Sequence, residues 1–185
     1  FRQGEWQTAL LSLDRAIDLA PDVPNYYNNR SILYLSYQIN DQIAPEQGCS
    51  NQGDMPYRVC LAKKSLESDL LATIRRPFYY RSRLALAESA YNMKLNNDAI
   101  RFYQQTLALL PESWPIQNEL ADAYLDAGRP ADALPILEKS LAITKDTANS
   151  TPALFLQMLA YQSLGEFEKL QESIERSLSL DHGGA

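Results

Sequence analysis

Apolar residues recur along this chain every three or four positions, with charged and amide side chains between them. That is the period of helices with one buried face. The clearest stretch is 114–142. Leu120, Ala121 and Tyr124 share one face of a first helix, and Ala133, Leu137, Ser140 and Leu141 share one face of a second. Gly128 stands at the turn between them. Small side chains fall where two helix backbones must approach, and large ones fill the remaining space. Glycine is scarce, and leucine and alanine are frequent, which favours helix over sheet.

The same arrangement recurs on both sides. Leu86, Ala87, Ala99, Tyr103, Leu107 and Pro111 occupy corresponding places, and Pro111 follows Pro77 by 34 residues. Lys94 stands where a turn glycine is usual, and Asn96 and Asn97 after it can supply the left-handed conformation. Residues 1–21 read as the second half of a unit. Gly4 is its turn, Ala9, Leu13 and Ala16 its buried stripe, and Pro21 its close. Its first helix would lie upstream of Phe1, so more repeat or another domain is expected there. Residues 24–37 open the next unit with Tyr27, Ser31 and Tyr34 inward, and with Arg30 where an apolar residue is usual.

Pro77 follows Pro21 by 56 residues, which is 22 more than one period. The surplus falls on 38–57, a stretch rich in Gly, Pro, Asn, Asp and Gln with no helical period. It reads as a loop inserted between two helices. The second helix resumes near Arg58 and carries Leu66, Leu70 and Ala72. Gly165 follows Gly128 by 37 residues, so the loop at 145–150 is three longer than the period requires. The last helix, 166–180, has charge on its outer face and reads as the closing helix.

A Leu-Ala pair, a Tyr, a turn Gly, inward Ala residues and a closing Pro at a spacing of 34 resemble the tetratricopeptide repeat. The resemblance covers nearly the whole chain apart from 38–57. It implies an all-α fold, a right-handed superhelical solenoid of antiparallel helix pairs with about nine helices in one domain. The units would be a half repeat at 1–21, a repeat at 24–77 with the loop 38–57, and repeats at 78–111 and 112–147. A repeat with its closing helix would follow at 151–180, and a tail at 181–185. The resemblance also implies a concave groove lined by the first helix of each pair. Carried over by position, its lining is Asn25, Asn28, Ile32 and Leu35, then Arg81, Leu84, Glu88, Tyr91 and Asn92, then Asn118, Asp122, Leu125 and Asp126, and last Phe155, Leu159, Gln162 and Ser163. Asn side chains can both donate to and accept from an extended peptide backbone. Arg81 is the one basic residue of the set, and Glu88, Asp122 and Asp126 make its middle acidic. The repeats that grip a C-terminal carboxylate with several cations are therefore a poor parallel, and a neutral, basic or apolar protein segment is the expected partner.

Charge agrees with that reading. The formal net charge is −6, which argues against nucleic acid as a partner. No run approaches the roughly 20 apolar residues that span a bilayer, so no direct membrane insertion is expected of this stretch. Catalysis is not expected either. The one histidine, His182, lies near the end of the chain, no His/Cys cluster has zinc spacing, and no Gly-rich loop cradles a phosphate. The carboxylates read as solvated outer faces. No cofactor or metal is called for.

Cys49 and Cys60, the only cysteines, bracket ten residues in and beside the inserted loop. A disulfide there would pin the loop, contribute roughly 3 kcal/mol and indicate an oxidising compartment. The other reading is two thiols, with Cys60 buried as a small apolar residue. The junction Leu-Ala-Pro-Asp-Val-Pro at 19–24 is similar to the repeat segments of bacterial O-antigen ligase/polymerase-like membrane proteins. That implies an extracytoplasmic domain (periplasmic or cell-surface) serving surface-polysaccharide assembly. The alternative is a regulatory or substrate-holding domain of a cytoplasmic enzyme or signalling protein, with its cysteines reduced.

Overall fold

The computed structural model describes residues 3–38, 57–144 and 147–182. Among the described residues there are nine α-helices and no strands. They form two compact units, Phe1–Leu95 and Asn96–Ala185. The first holds α1 (Gln3–Leu19), α2 (Pro24–Gln38), α3 (Tyr57–Arg75) and α4 (Tyr80–Asn92). The second holds α5 (Asn96–Leu107), α6 (Trp114–Asp126), α7 (Pro130–Ile143), α8 (Thr147–Leu164) and α9 (Phe167–His182). Within each unit every helix packs on the next, save where α4 ends the first. The expected loop 38–57 lies, but for its end residues, outside the described residues.

Three turns share one geometry. Lys94, Gly128 and Gly165 have φ of 58°, 70° and 74°. In each, the next residue's N–H reaches back to the carbonyl five residues before it: Leu95 to Ala90, Arg129 to Tyr124 and Glu166 to Tyr161, at 2.9–3.0 Å. This closes the preceding helix and satisfies carbonyls that have no partner within it. The left-handed residue of the first turn is Lys94 itself, and the asparagines expected to take that role open α5 instead. Gly4, expected as a turn, lies in the first turn of α1.

The closing prolines share a second geometry. The carbonyl of Pro21 accepts from the Tyr27 hydroxyl at 3.0 Å, that of Pro77 from Arg83 Nε, and that of Pro111 from Gln117 Nε2 at 2.8 Å. The donor is six residues on in all three cases, although its chemistry differs each time. Each bond ties a turn to the helix that follows it.

The core of the first unit is Trp6, Leu10, Tyr34 and Leu61, with Leu33 and Cys60 packed against it. Trp6 Nε1 donates to the Leu33 carbonyl at 3.1 Å, and its ring meets Tyr34 edge-on at 6.2 Å. In the second unit Tyr103, Leu120, Leu137 and Leu154 are buried among Ala99, Ala121, Ala133, Ala153 and Ala160, all five alanines being fully covered. The alanines let the backbones approach, and the larger residues fill the gaps that remain.

On α3 the expectation fails in an informative way. Its buried stripe is Leu61, Ala62, Ser65, Ser68, Asp69 and Ala72, whereas Leu66 is only half-buried and Leu70 is exposed. The inward face is built mostly from small and polar residues.

The turn geometry is testable at Gly128. A Cβ added there would meet nothing within 4 Å, so any cost is backbone conformation alone. Gly128→Ala should destabilise by about 1–2 kcal/mol, read by urea denaturation. An unchanged midpoint would mean that the left-handed turn is not needed.

Candidate functional site: a groove between α2 and α4

Helices α2 and α4 flank a cavity of roughly 300 Å³. Asn25, Asn28, Asn29 and Ile32 line it from α2, and Arg81, Leu84, Ala85 and Glu88 from α4. The spacing of these residues explains why they converge. Three or four positions apart on a helix is one face, and both helices turn that face to the same space. Ile32 and Leu84 supply apolar surface, and the amides and Glu88 supply polar contacts. Asn28 Oδ1 is buried without a hydrogen-bond partner, while Asn25 Oδ1 accepts from the Tyr79 hydroxyl at 3.0 Å. Arg81 is held by its neighbour: its Nε donates to the Tyr80 hydroxyl at 3.2 Å, and its guanidinium lies 5.9 Å from that ring's centre.

The structure thus brings together Asn25, Asn28, Ile32, Arg81, Leu84 and Glu88 of the residues expected from the sequence. Asn29 and Ala85 also line the cavity. Asn29 stood next to the Arg30 departure in the repeat pattern, and its i+3 relation to Ile32 was the signal that could have found it. Tyr91 is half-buried with the Lys94 ammonium 5.2 Å from its ring centre, and Asn92 is exposed. In the second unit Asn118 is buried, and its Oδ1 accepts from the Ser140 hydroxyl at 2.7 Å, which joins α6 to α7. Asp122 is half-buried, and Asp126, Phe155 and Gln162 are exposed. Cys60 is half-buried. Cys49 lies outside the described residues.

Behind the groove the same two helices are fastened to α3 by a buried polar cluster. Asp69 of α3 is fully covered. Its Oδ2 accepts from Ser31 of α2 at 2.5 Å and from Ser89 of α4 at 2.6 Å. Ser65 of α3 lies 2.7 Å from Ser31 and 3.2 Å from Ser89, oxygen to oxygen. Asp69 Oδ1 has no hydrogen-bond partner. Burial pushes the Asp69 carboxyl up to about 7, the hydroxyls of Ser31 and Ser89 oppose that rise, and the charge of Glu88 adds to it. The expectation that every carboxylate lies on a solvated face is therefore corrected at Asp69. The signal was in the sequence: Asp69 is eight residues after Leu61, in register with the inward stripe. Arg30, which departs from the usual apolar residue, reaches Asp14 of α1 at 2.9 Å and the Ser68 hydroxyl at 3.2 Å. A polar contact replaces an apolar one there.

Among the described residues no group of three or more His, Cys, Asp or Glu is placed to hold a metal ion. Among them, too, no helix is long and apolar enough to cross a membrane.

Helix pairs, left-handed turn residues and tied prolines define an all-α protein of the tetratricopeptide-repeat fold. The family profile described as tetratricopeptide repeat matches residues 91–150. The crystal structure of MamA aligns with a TM-score of 0.75 at 14% identity, over 98% of this chain and 91% of that one. TTC0263, titled a thermophilic TPR protein in Thermus thermophilus, aligns at 0.59 and 15% identity, over 96% and 84%. YrrB, titled a TPR protein with an unusual peptide-binding site, aligns at 0.64 and 14% identity, over 93% and 76%. At these identities the likeness is one of fold. No curated protein sequence matches the chain. Proteins built from this repeat are protein-interaction scaffolds.

The raised Asp69 carboxyl has a signed consequence for stability. The folded state binds a proton there that the unfolded chain has already released. The group's stabilisation is therefore complete below about pH 4 and is lost as pH rises towards about pH 7. Three pH units at 1.36 kcal/mol each put the loss at up to roughly 4 kcal/mol. Unfolding free energies of the native chain should fall over that interval relative to Asp69→Asn. Parallel pH curves for the two proteins would refute the assignment.

Proposed function

We propose that the chain is a non-catalytic protein-interaction module whose α2–α4 groove takes a peptide or protein segment of neutral, basic or apolar character. The observation that carries this reading is the convergence of Asn25, Asn28, Arg81, Leu84 and Glu88 on one cavity. Its amides match the donors and acceptors of an extended backbone, Ile32 and Leu84 match apolar side chains, and Glu88 favours a cation. Arg81 and Glu88 place one charge of each sign on the α4 wall, and we assign the choice of a cation to Glu88. In the second unit we assign the exposed Asp126, Phe155 and Gln162, with Asp122, to contacts of the same kind, and Asn118 to placing them.

The wider setting we propose is an extracytoplasmic domain of a membrane-anchored protein of the O-antigen ligase/polymerase-like type, positioning partners in surface-polysaccharide assembly. Within it, Cys49 and Cys60 form a disulfide that pins the stretch between α2 and α3.

Two measurements test these readings. Peptides selected from a random display library should carry Lys or Arg, and Glu88→Lys should weaken their binding at least tenfold, or about 1.4 kcal/mol, by fluorescence anisotropy. Unaltered affinity would sink the groove assignment. Denatured, unreduced protein should give no titratable thiol, and reduction should lower the unfolding free energy by roughly 3 kcal/mol. Two reactive thiols would sink the disulfide and the oxidising compartment with it.

A further inference from the structure

Four oxygens meet at the junction of α2, α3 and α4: Asp69 Oδ2 and the hydroxyls of Ser31, Ser65 and Ser89. They make a closed circuit of four contacts. Asp69 to Ser31 is 2.5 Å, Ser31 to Ser65 is 2.7 Å, Ser65 to Ser89 is 3.2 Å, and Ser89 to Asp69 is 2.6 Å. All four residues are buried. A hydroxyl carries one proton. With Asp69 ionised, three protons must serve four contacts. Ser31 and Ser89 both donate to the carboxylate, Ser65 donates to one of them, and the remaining pair face each other through lone pairs alone. With Asp69 protonated there are four protons. Asp69 donates to Ser31, Ser31 to Ser65, Ser65 to Ser89 and Ser89 back to Asp69. Every contact is then a hydrogen bond running the same way round.

We propose that Asp69 is a proton-operated latch on the α2–α4 groove, closed when the carboxyl carries its proton and slackened when it does not. The circuit joins one residue of α2 and one of α4 through two of α3, and Ser31 and Ser89 are chain neighbours of Ile32 and Glu88 on the groove wall. Losing one contact of the circuit leaves one of the two walls held to α3 by Asp69 alone, without Ser65. The direction of the carboxyl's shift agrees with the proton count, since burial favours the neutral acid.

The charged groups around the circuit do not offset the carboxylate. From α2 comes Arg30, engaged with Asp14 of α1 and with Ser68. From α4 comes Glu88, whose like charge opposes ionisation. On α3, Lys64 lies 5.7 Å from the centre of the Tyr34 ring, and Glu67 is exposed. Glu88 links the latch to the ligand. A cation bound there removes the like charge and makes Asp69 easier to ionise. By reciprocity, the proton on Asp69 and a basic partner in the groove compete. This last step rests on the groove reading above, whereas the latch does not.

The test is a titration of the full chain by nuclear magnetic resonance from about pH 4 to about pH 9, following the Asp69 carboxyl carbon and the backbone amides of Asn28, Ser31, Glu88 and Ser89. The carboxyl should titrate with a midpoint near neutrality, and the four amides should shift with the same midpoint. Glu88→Gln should move that midpoint down, and Asp69→Asn should abolish the shared transition. An Asp69 midpoint in the ordinary carboxylate range overturns the latch, as do amides that ignore the carboxyl's titration. Should Asp69→Asn fail to fold, the native chain and Glu88→Gln decide the matter alone. A silent titration would leave the peptide-capture result standing, and failed capture would leave the titration standing, so the two ideas fail separately.

Discussion

At three of the described turns one residue takes left-handed backbone, and where the helix before it ends follows from where that residue sits. At Gly128 and Gly165 a glycine takes the position at little cost. The bond from the next N–H back across the turn then ends the first helix at a set carbonyl. With that end fixed after Gly128, the second helix turns Ala133 inward, where it is fully covered. The tied carbonyls of Pro21, Pro77 and Pro111 do the same for the other kind of turn. Lys94 shows how firmly the geometry is held. A long side chain accepts a conformation that ordinarily costs it about 1–2 kcal/mol, and its ammonium settles over Tyr91.

These constraints explain which parts of the fold were legible in the sequence. Positions whose job is volume announce themselves by size, so Tyr27, Tyr34, Leu86, Tyr103, Leu120 and Leu137 were readable from periodicity. The closing prolines were readable because nothing else ends a helix so distinctly. Gly4 misled because a glycine has several uses, and here it sits inside a helix. On α3 the large residues misled as well. Leu66 and Leu70 drew the eye to a face that is half open, while the inward face was made of Ser65, Ser68 and Asp69. A pattern of hydrophobicity does not mark a buried stripe whose members satisfy one another by hydrogen bonds. The register from Leu61 to Ala72 did mark it, and register was the better guide there.

The groove was legible for a related reason. Asn25, Asn28, Arg81, Leu84 and Glu88 follow from helix periodicity once the inward stripe is known, because the next face round the helix is fixed by geometry. What the sequence did not disclose is which amides are already engaged. Asn118 occupies the corresponding place in its own repeat, yet its carbonyl oxygen is taken by Ser140. Asn28 has the same side chain in the same register and keeps its oxygen unpartnered. The difference lies in what the neighbouring helix presents, and a single helix's sequence cannot show that.

A buried acid in a helical core is an expensive choice. Apolar residues of similar volume at Ser31, Ser65, Asp69 and Ser89 would fill the same space without desolvating a carboxyl, and such exchanges are often neutral or stabilising. Stability alone therefore does not account for the cluster. Its distinctive property is that one proton decides whether three helices are joined by four hydrogen bonds or by three. It sits behind the two helices that wall the groove, and Glu88 touches both the groove and the cluster's electrostatics. An apolar core would hold those helices at one spacing under all conditions. A core closed by a proton near neutral pH holds them conditionally, and that is a property a binding surface can use.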